Sequence, residues 1–202
     1  LTYLYFYKMN VDPKNPQDPD RDRFVLSKGH TAPALYSVLA EKGYFDKSEL
    51  LKLRKTGALL QGHPDMKHIP GVDMTTGSLG QGLSCALGLA LGSKIKNDNA
   101  TIYAIIGDGE SQEGQIWEAA FFASHKKLDN LIVFLDYNKM QLDGTLEEVN
   151  DSGNMYDKFL SFGFDTYSID GHNIDEICET IEKAKTVKGK PHMIILNTIK
   201  GK

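Results

Sequence analysis

The chain has 202 residues, of which 23 are basic and 27 acidic, giving a net charge of -4 with histidine neutral. Because charged residues make up a quarter of the chain and acidic ones outnumber basic ones, nothing in the charge favours binding to nucleic acid or to an anionic membrane. The length suffices for one domain that buries a full sheet under helices. We therefore predict a single domain over residues 1–202.

Composition also suggests the compartment. The longest apolar runs have about five residues, too few to cross a membrane. The two cysteines, Cys85 and Cys178, form no CxxC pair, so we expect free thiols and a cytoplasmic protein. The first residue is not Met, and the sequence ends abruptly in Thr198-Ile-Lys-Gly-Lys202. We interpret the sequence as part of something larger, or as a chain whose ends are missing.

The first half begins with four predicted elements. In chain order these are the end of an amphipathic helix (Leu1–Met9), a strand (Arg23–Ser27), a helix stopped by Gly43 (Thr31–Lys42) and a short helix capped by Asp46 and ending at Leu53. The segment Thr56–Thr76 lacks periodicity and is too long for a simple connection, which is typical of a functional or disordered loop.

A long helix follows over Leu79–Lys96 and is unusually rich in small residues, including Gly82, Gly88 and Gly92. Each interior glycine costs about 1 kcal/mol relative to Ala, so close approach of another group is expected. That group could be a helix of this domain, a partner chain or a cofactor. The Gly80–Cys85 stretch lacks the last glycine of GxGxxG and no GxxxxGK is present, which argues against both common nucleotide motifs.

The middle of the chain, Ile102–Asn138, is predicted to form one strand–helix–strand unit. Apolar runs at Tyr103–Ile106 and Leu131–Leu135 resemble buried strands, and Gln115–Lys127 has helical periodicity. A right-handed crossover would place both strands parallel in one sheet, with their carboxyl ends at the same edge.

The last part of the chain continues the alternation of strands and helices. It comprises a polar loop (Lys139–Gly153), a short helix (Asn154–Ser161), a strand (Phe164–Ile169), a helix (Ile174–Ala184) and a strand (His192–Asn197). This alternation predicts an α/β fold, with a three-layer, mostly parallel sheet covered by helices on both faces.

Asp108 and Asn138 follow the two central strands and should share one sheet edge. A carboxylate and an amide oxygen are hard ligands suited to Mg²⁺ or Ca²⁺, and a diphosphate could supply further oxygens. The N–H groups after Gly107 could meet its remaining charge. The alternative is an Asp-Gly turn and an unrelated loop Asn. Their expected shared edge favours the metal site.

Several motifs, in this order, resemble those of transketolases, a family of thiamine diphosphate enzymes. They are Arg21–His30, Gly62-His63-Pro64, Thr75–Gly82, Gly107-Asp108-Gly109 with Asn138 thirty residues beyond Asp108, Glu113 with Glu118, and Asp170-Gly171-His172. Each string alone is weak, but their order along nearly the whole chain is specific. The resemblance implies the thiamine diphosphate-binding domain of that fold.

The resemblance also implies roles at the cofactor. Asp108, the Asn138 side chain and the Met140 backbone carbonyl would hold the metal, and the Gly109 N–H would bind the diphosphate. Gly77 and Leu79 correspond to family positions at the aminopyrimidine. Leu142 and Ile199 match positions that pack on the cofactor rings; as residues by themselves they could equally be ordinary core.

Further roles follow for residues around the substrate. His30 and His63 match family histidines at the donor end, where a pKa near neutrality suits proton transfer. A histidine in a Gly-His-Pro loop could otherwise be a surface residue. Glu113 and Glu118 resemble carboxylates at the family's dimer contact, the alternative being a solvated helix face. His172 has a less certain counterpart.

Other features depart from the family or are missing. Lys28 stands where long transketolases usually have an amide, Ser78 where they often have Pro, and Lys200 where a Gly is often found. Two family histidines correspond to positions before Leu1 and after the present end. These features resemble short, split prokaryotic transketolases. The glutamate that activates the cofactor belongs to a pyrimidine-binding domain, expected on another chain or later domain.

The predicted function is transfer of a two-carbon ketol unit from a ketose phosphate to an aldose phosphate, with thiamine diphosphate and Mg²⁺ (or Ca²⁺), as in the pentose phosphate pathway. We expect little activity without the pyrimidine-binding half, and assembly as a homodimer or heterotetramer. Two alternatives remain: another thiamine diphosphate enzyme such as deoxyxylulose-phosphate synthase, or a non-catalytic assembly module.

Overall fold

The computed structural model describes residues 1–201. Its main feature is a five-stranded sheet with the order β1-β2-β3-β7-β6, in which every neighbouring pair is parallel. The strands are β1 (Arg23–Leu26), β2 (Ile102–Gly107), β3 (Leu131–Tyr137), β6 (Asp165–Asp170) and β7 (His192–Asn197). The predicted central unit is confirmed, because β2 and β3 are adjacent and Gly107 pairs with Asp136.

Alternate residues of the central strands enter two separate cores. Ala104 and Val133 pack with helices α2 (Gln81–Lys96), α3 (Gly114–His125) and α5 (Met155–Ser161). Tyr103 and Phe134 instead pack with helices α1 (Ala32–Lys42) and α6 (Ile174–Thr186). The period of two thus produces a sheet with helices on both faces, and the predicted three-layer α/β class is confirmed.

The ends of several helices follow the expected capping chemistry. Gly43 closes α1 in a left-handed conformation with φ of 98°. The Asp46 side chain accepts a hydrogen bond from the Ser48 N–H, although the segment it caps, Lys47–Lys52, is a 3₁₀ helix. The segment Leu4–Lys8 is also not an α-helix, since the Met9 N–H donates to the Leu4 carbonyl five residues back.

The prediction that Lys139–Gly153 is only a polar loop is wrong, because the segment contains strands and a helix. The segment contains an antiparallel hairpin of β4 (Met140–Gln141) and β5 (Gly144–Thr145), followed by the short helix α4 (Leu146–Val149). The Thr145 hydroxyl accepts from the Glu148 N–H while the Glu148 carboxylate accepts from the Thr145 N–H, forming a capping box. Strands of two residues are too short to show periodicity in the sequence.

Two further findings concern the whole chain. Cys85 and Cys178 are free thiols, as expected. Across residues 1–201, no helix combines the length and apolar character needed to cross a membrane.

The structure gives a packing reason for one glycine of α2 but not for another. A Cβ added at Gly82 would lie 2.6 Å from the Ser27 Cα, so this glycine lets the start of α2 approach the end of β1. The close neighbour is therefore a strand end of the same chain. A Cβ at Gly88 would meet nothing within 4 Å, so packing within this chain does not require that glycine.

This contrast predicts opposite effects of the same substitution. Gly82→Ala should lower the free energy of unfolding by about 1–3 kcal/mol, because the strand backbone cannot move away cheaply. Gly88→Ala, the matched control in the same helix, should raise it by roughly 0.5–1 kcal/mol through helix propensity. Urea denaturation of both variants checks this, and equal effects at the two positions would contradict it.

Candidate functional site

The predicted site lies at the carboxyl edge of the sheet, where Asp108 and Asn138 follow neighbouring strands. The Lys139 N–H donates to Asp108 Oδ2 at 2.5 Å, so the turn after β3 directly contacts the carboxylate after β2. Asp108 and the turn that contains Asn138 therefore lie at the same edge of the sheet, as predicted. Carboxyl ends of parallel strands are the usual location of ligand sites in α/β proteins.

Asp108 is buried, with only 3% of its surface exposed to solvent. The Gly109 N–H donates to its Oδ1 at 2.8 Å. Burial raises the pKa of the Asp108 carboxyl, and the N–H groups of Gly109 and Lys139 and the charge of Lys28 offset this only in part. A bound cation would stabilise the ionised form that burial disfavours.

The Asn138–Met140 turn presents the other proposed metal ligands. The Met140 N–H donates to Asn138 Oδ1 at 2.9 Å, and Lys139 between them has φ of 61°, in the left-handed region. That conformation costs a residue with a Cβ about 1–2 kcal/mol, and such strain is concentrated at functional sites. The turn fixes the backbone that carries the Met140 carbonyl.

The donor set fits a hard cation. Within residues 1–201 there is no group of three or more His, Cys, Asp or Glu side chains able to hold a metal. A metal at this edge would therefore depend on one carboxylate together with amide, carbonyl and ligand oxygens. Mg²⁺ commonly binds in this way, through few protein carboxylates and a phosphate ligand.

A charged bridge joins three strands beside this turn. Lys28 Nζ donates to Asp136 Oδ2 at 2.7 Å, and the Thr198 hydroxyl donates to Asp136 Oδ1 at 2.6 Å. Burial by itself would raise the pKa of Asp136, but the hydrogen bonds from Lys28 and Thr198 outweigh it and lower the pKa. The bridge therefore holds Lys28 as an ion-pair partner at this edge of the sheet.

Glu110 is a site residue that the sequence reasoning missed. Its Oε1 accepts from the Ser27 hydroxyl at 2.5 Å and from the Gly80 N–H at 2.9 Å, and its Oε2 accepts from the Gly107 N–H at 2.9 Å. The residue is 3% exposed. One carboxylate thus connects the ends of β1 and β2 to the start of α2. Its place directly after Gly107-Asp108-Gly109 was the available signal.

His30 and His63 approach the same loop. A Cβ built at Gly77 would lie 3.3 Å from the His63 ring, and one built at Gly29 would lie 3.0 Å from the Gly77 N. Gly77 therefore lies against the His63 ring and against Gly29, the residue that precedes His30. Partial burial, followed by the charge of Lys28, lowers the pKa of His30, so the neutral imidazole is favoured near pH 7.

The apolar candidates lie on the surface of the edge. Leu79, Leu142 and Ile199 are 41%, 98% and 62% exposed, so Leu142 and Ile199 are not ordinary core residues. A groove of about 640 Å³ is lined by residues 137–140 and 197–200. Contact with a cofactor remains a prediction, and exposed apolar side chains beside a polar turn are compatible with it. A larger open groove, lined by residues such as Asp46 and His68, contains no predicted site residue.

The other predicted residues include Glu113, which lies beside the Thr75–Gly82 segment, since a Cβ built at Gly80 would lie 2.8 Å from Glu113 Cβ. Glu113 and Glu118 are exposed at the start and on the outside of α3, so their dimer role stays a prediction. His172 Nε2 accepts from the Ile199 N–H at 2.9 Å and so fixes the last turn. His192 is fully buried, and its Nδ1 lies 3.0 Å from Asp165 Oδ2.

These features define an α/β domain with a cluster of polar groups at the carboxyl edge of its parallel sheet. Residues 2–202 match the family described as transketolase, thiamine diphosphate binding domain. The chain therefore belongs to the transketolase family, as its thiamine diphosphate-binding domain.

Known proteins of this family include short subunits. The chain is 57% identical over its whole length to the 6-deoxy-6-sulfo-D-fructose transketolase subunit SqwG of Clostridium sp. (strain MSTE9), covering 74% of that protein. It is 41% identical to an apulose-4-phosphate transketolase subunit of Phocaeicola vulgatus, covering 72% of it. The chain thus spans about three quarters of these two relatives.

Longer relatives share the same domain. The chain is 40% identical to human transketolase, of which it covers 32%. The solved transketolase of Leishmania mexicana superposes with a TM-score of 0.92 at 32% identity, over 97% of this chain and 31% of that one. The predicted fold and family are therefore confirmed, and the chain corresponds to about a third of these longer proteins.

The Glu110 contacts predict a structural requirement at the site. Glu110→Gln should lower the free energy of unfolding by about 1–3 kcal/mol. Both carboxylate oxygens of Glu110 accept from backbone N–H groups, and glutamine would place an N–H₂ donor against one of them, which would lose its acceptor. Glu118→Gln, on the exposed surface of α3, is the control and should change stability little. Thermal unfolding of both variants measures the difference, and a Glu110→Gln variant as stable as the control would contradict the assigned contacts.

Proposed function

We propose that this chain is the diphosphate- and metal-binding half of a transketolase, which transfers a two-carbon ketol unit from a ketose phosphate to an aldose phosphate. The observation that carries the proposal is the buried Asp108 carboxylate held against the Asn138–Met140 turn. Family membership supports thiamine diphosphate as the cofactor.

The chain's residues suit the two ends of that cofactor. Asp108, the Asn138 side chain and the Met140 carbonyl would hold Mg²⁺ (or Ca²⁺), and the Gly109 N–H would meet the diphosphate. Leu142 and Ile199 would pack on its rings, with Gly77 and Leu79 at the aminopyrimidine. Thiamine diphosphate, when bound, supplies the carbon nucleophile for breaking and forming a bond next to a carbonyl.

The histidines provide the polar contacts for a sugar. The His63 ring lies beside Gly77, and His30 directly follows Gly29, which packs on the same loop. Imidazole nitrogens can form hydrogen bonds and exchange protons, so both side chains can orient donor hydroxyls and move protons there. Glu113, exposed at the start of α3, is proposed to act at a contact with another chain.

The identity of the donor sugar has two candidates. A ketose phosphate is the general expectation and corresponds to the pentose phosphate pathway. The relative with 57% identity is named for 6-deoxy-6-sulfo-D-fructose, which carries a sulfonate in place of a phosphate. Both candidates are ketoses with a terminal anion, so assays should compare the two donors directly.

A partner is required for this function. Relatives of similar length are named as subunits, which supports a separate chain carrying the pyrimidine-binding half. We propose assembly as a homodimer or heterotetramer. Each relative described above is named as a transketolase, so nothing specific favours deoxyxylulose-phosphate synthase. A non-catalytic assembly module would bind no cofactor, which makes cofactor binding the deciding property.

Removing the Asp108 carboxylate tests the site. Asp108→Ala should abolish Mg²⁺-dependent binding of thiamine diphosphate by calorimetry, because it removes the one proposed anionic metal ligand. Asp143→Ala, exposed between β4 and β5, is the control and should bind as the wild type does. Circular dichroism verifies folding, since the Gly109 and Lys139 N–H groups lose an acceptor. Unchanged affinity in folded Asp108→Ala would contradict the site.

The raised pKa of Asp108 predicts a pH dependence. The apo folded state binds this proton more tightly than the unfolded state does, so the carboxyl's contribution to apo stability falls as pH rises through the folded pKa. Metal must displace the proton at lower pH. Mg²⁺ affinity should therefore fall as pH drops through that pKa and level off above it. A flat calorimetric profile across this range would contradict the assignment.

Reconstitution tests the division between two halves. The chain alone should show little ketol transfer, because no residue here corresponds to the activating glutamate of the pyrimidine-binding domain. Adding the pyrimidine-binding half should restore turnover, measured as consumption of fructose 6-phosphate or 6-deoxy-6-sulfofructose with an aldose acceptor. Robust turnover by the purified chain alone would contradict this expectation.

A further inference from the structure

Gln141 lies directly against the Asp108–Gly109 turn. It belongs to β4 and pairs with Gly144 of β5, so the hairpin fixes its backbone. A Cβ built at Gly109 would lie 3.1 Å from Gln141 Cβ and 3.4 Å from Gln141 Oε1. Because Gly109 has no Cβ, the amide of Gln141 can lie beside the backbone that follows Asp108.

The amide nitrogen of Gln141 has no acceptor in this arrangement. Nε2 is inaccessible to solvent and is one of five such side-chain atoms without a hydrogen-bond partner in residues 1–201. A buried, unsatisfied polar group costs about 1–3 kcal/mol, and such groups in native proteins call for an explanation. The unsatisfied nitrogen of Gln141 therefore calls for an explanation at the place where this residue packs on Gly109.

The neighbouring Asp108 carboxylate does not accept from Gln141 Nε2, which has no hydrogen-bond partner. Asp108 Oδ1 accepts from the Gly109 N–H and Oδ2 accepts from the Lys139 N–H. The missing acceptor is therefore sought in a ligand, and an anionic oxygen is the group that a free amide N–H₂ beside a glycine N–H would bind best. The proposed function brings a diphosphate to this turn.

We propose that the side-chain amide of Gln141 turns when the diphosphate binds, so that Nε2 leaves its enclosed position and donates a hydrogen bond to a phosphoryl oxygen near Gly109. This inference rests on the proposed function and adds a side-chain donor to a set otherwise made of backbone and metal contacts. The hairpin β4–β5 is then a binding element, because it carries the donor into the edge.

The role predicts opposite effects on the free and the bound protein. Gln141→Met keeps the length of the side chain but removes the donor. In the full-length protein its dissociation constants for Mg²⁺ with thiamine diphosphate and for Mg²⁺ with pyrophosphate should rise about tenfold or more. The melting temperature without ligand should stay the same or rise, because an unsatisfied buried group is removed. A residue needed only for packing would instead lower it.

A second variant separates donation from metal binding. Gln141→Glu keeps acceptor oxygens, loses the donor and adds a negative charge, so it should weaken pyrophosphate binding at least as much as Gln141→Met does. If the amide oxygen instead bound Mg²⁺, the carboxylate would preserve or increase affinity. Gln17→Met, at an exposed position before β1 and so near the opposite edge of the sheet, is the matched control.

Calorimetry with pyrophosphate and thiamine diphosphate gives the outcomes. Wild-type affinity in Gln141→Met, or equal or tighter binding in Gln141→Glu, would overturn the proposal while leaving the proposed function intact. A wild-type protein that binds neither ligand would overturn both. Weaker binding of both ligands by both Gln141 variants, with unchanged Gln17→Met and an undiminished melting temperature for Gln141→Met, is the result expected.

Discussion

The contact between the Lys139 N–H and Asp108 Oδ2 is the interaction on which the site depends. It exists because β2 and β3 are parallel neighbours in a register that pairs Gly107 with Asp136, so that both chains leave the sheet side by side. A shift of register by one residue would exchange the faces of the strand and separate the two turns. The apolar alternation that fills the two cores therefore also sets the position of the ligand groups.

Buried polar groups make this edge rigid. Glu110 links β1, β2 and the start of α2, while the Lys28, Asp136 and Thr198 contacts link β1, β3 and the end of β7. Such groups lose hydration on folding, and their hydrogen bonds compensate. Preorganised supporting contacts of this kind hold ligand groups in place before the ligand arrives. The exposed Leu142 and Ile199 contrast with this framework and leave apolar surface for another molecule to cover.

Elements with clear periodicity could be predicted from the sequence, and the strand at His192–Asn197 and the helix stop at Gly43 are examples. The β4–β5 hairpin could not, because strands of two residues have no period and their pairing depends on a turn. The sequence pattern correctly predicted that Asp108 and Asn138 lie at one edge of the sheet. It did not reveal the contacts of Glu110 and Gln141, although the place of Glu110 after Gly107-Asp108-Gly109 was a signal, because these contacts are made with residues distant in sequence, such as Ser27 and Gly109. The burial of Asp108 likewise follows from how the loops fold over it.

The central claim is that Asp108 and the Asn138–Met140 turn bind one cation together with a diphosphate. The most direct measurement is a crystal structure of the protein with Mn²⁺ and thiamine diphosphate, with anomalous scattering recorded at the manganese edge. The account predicts one anomalous peak, coordinated by the Asp108 carboxylate, the Asn138 amide oxygen, the Met140 carbonyl and two phosphate oxygens. A peak elsewhere, or a diphosphate bound away from Gly109, would contradict it.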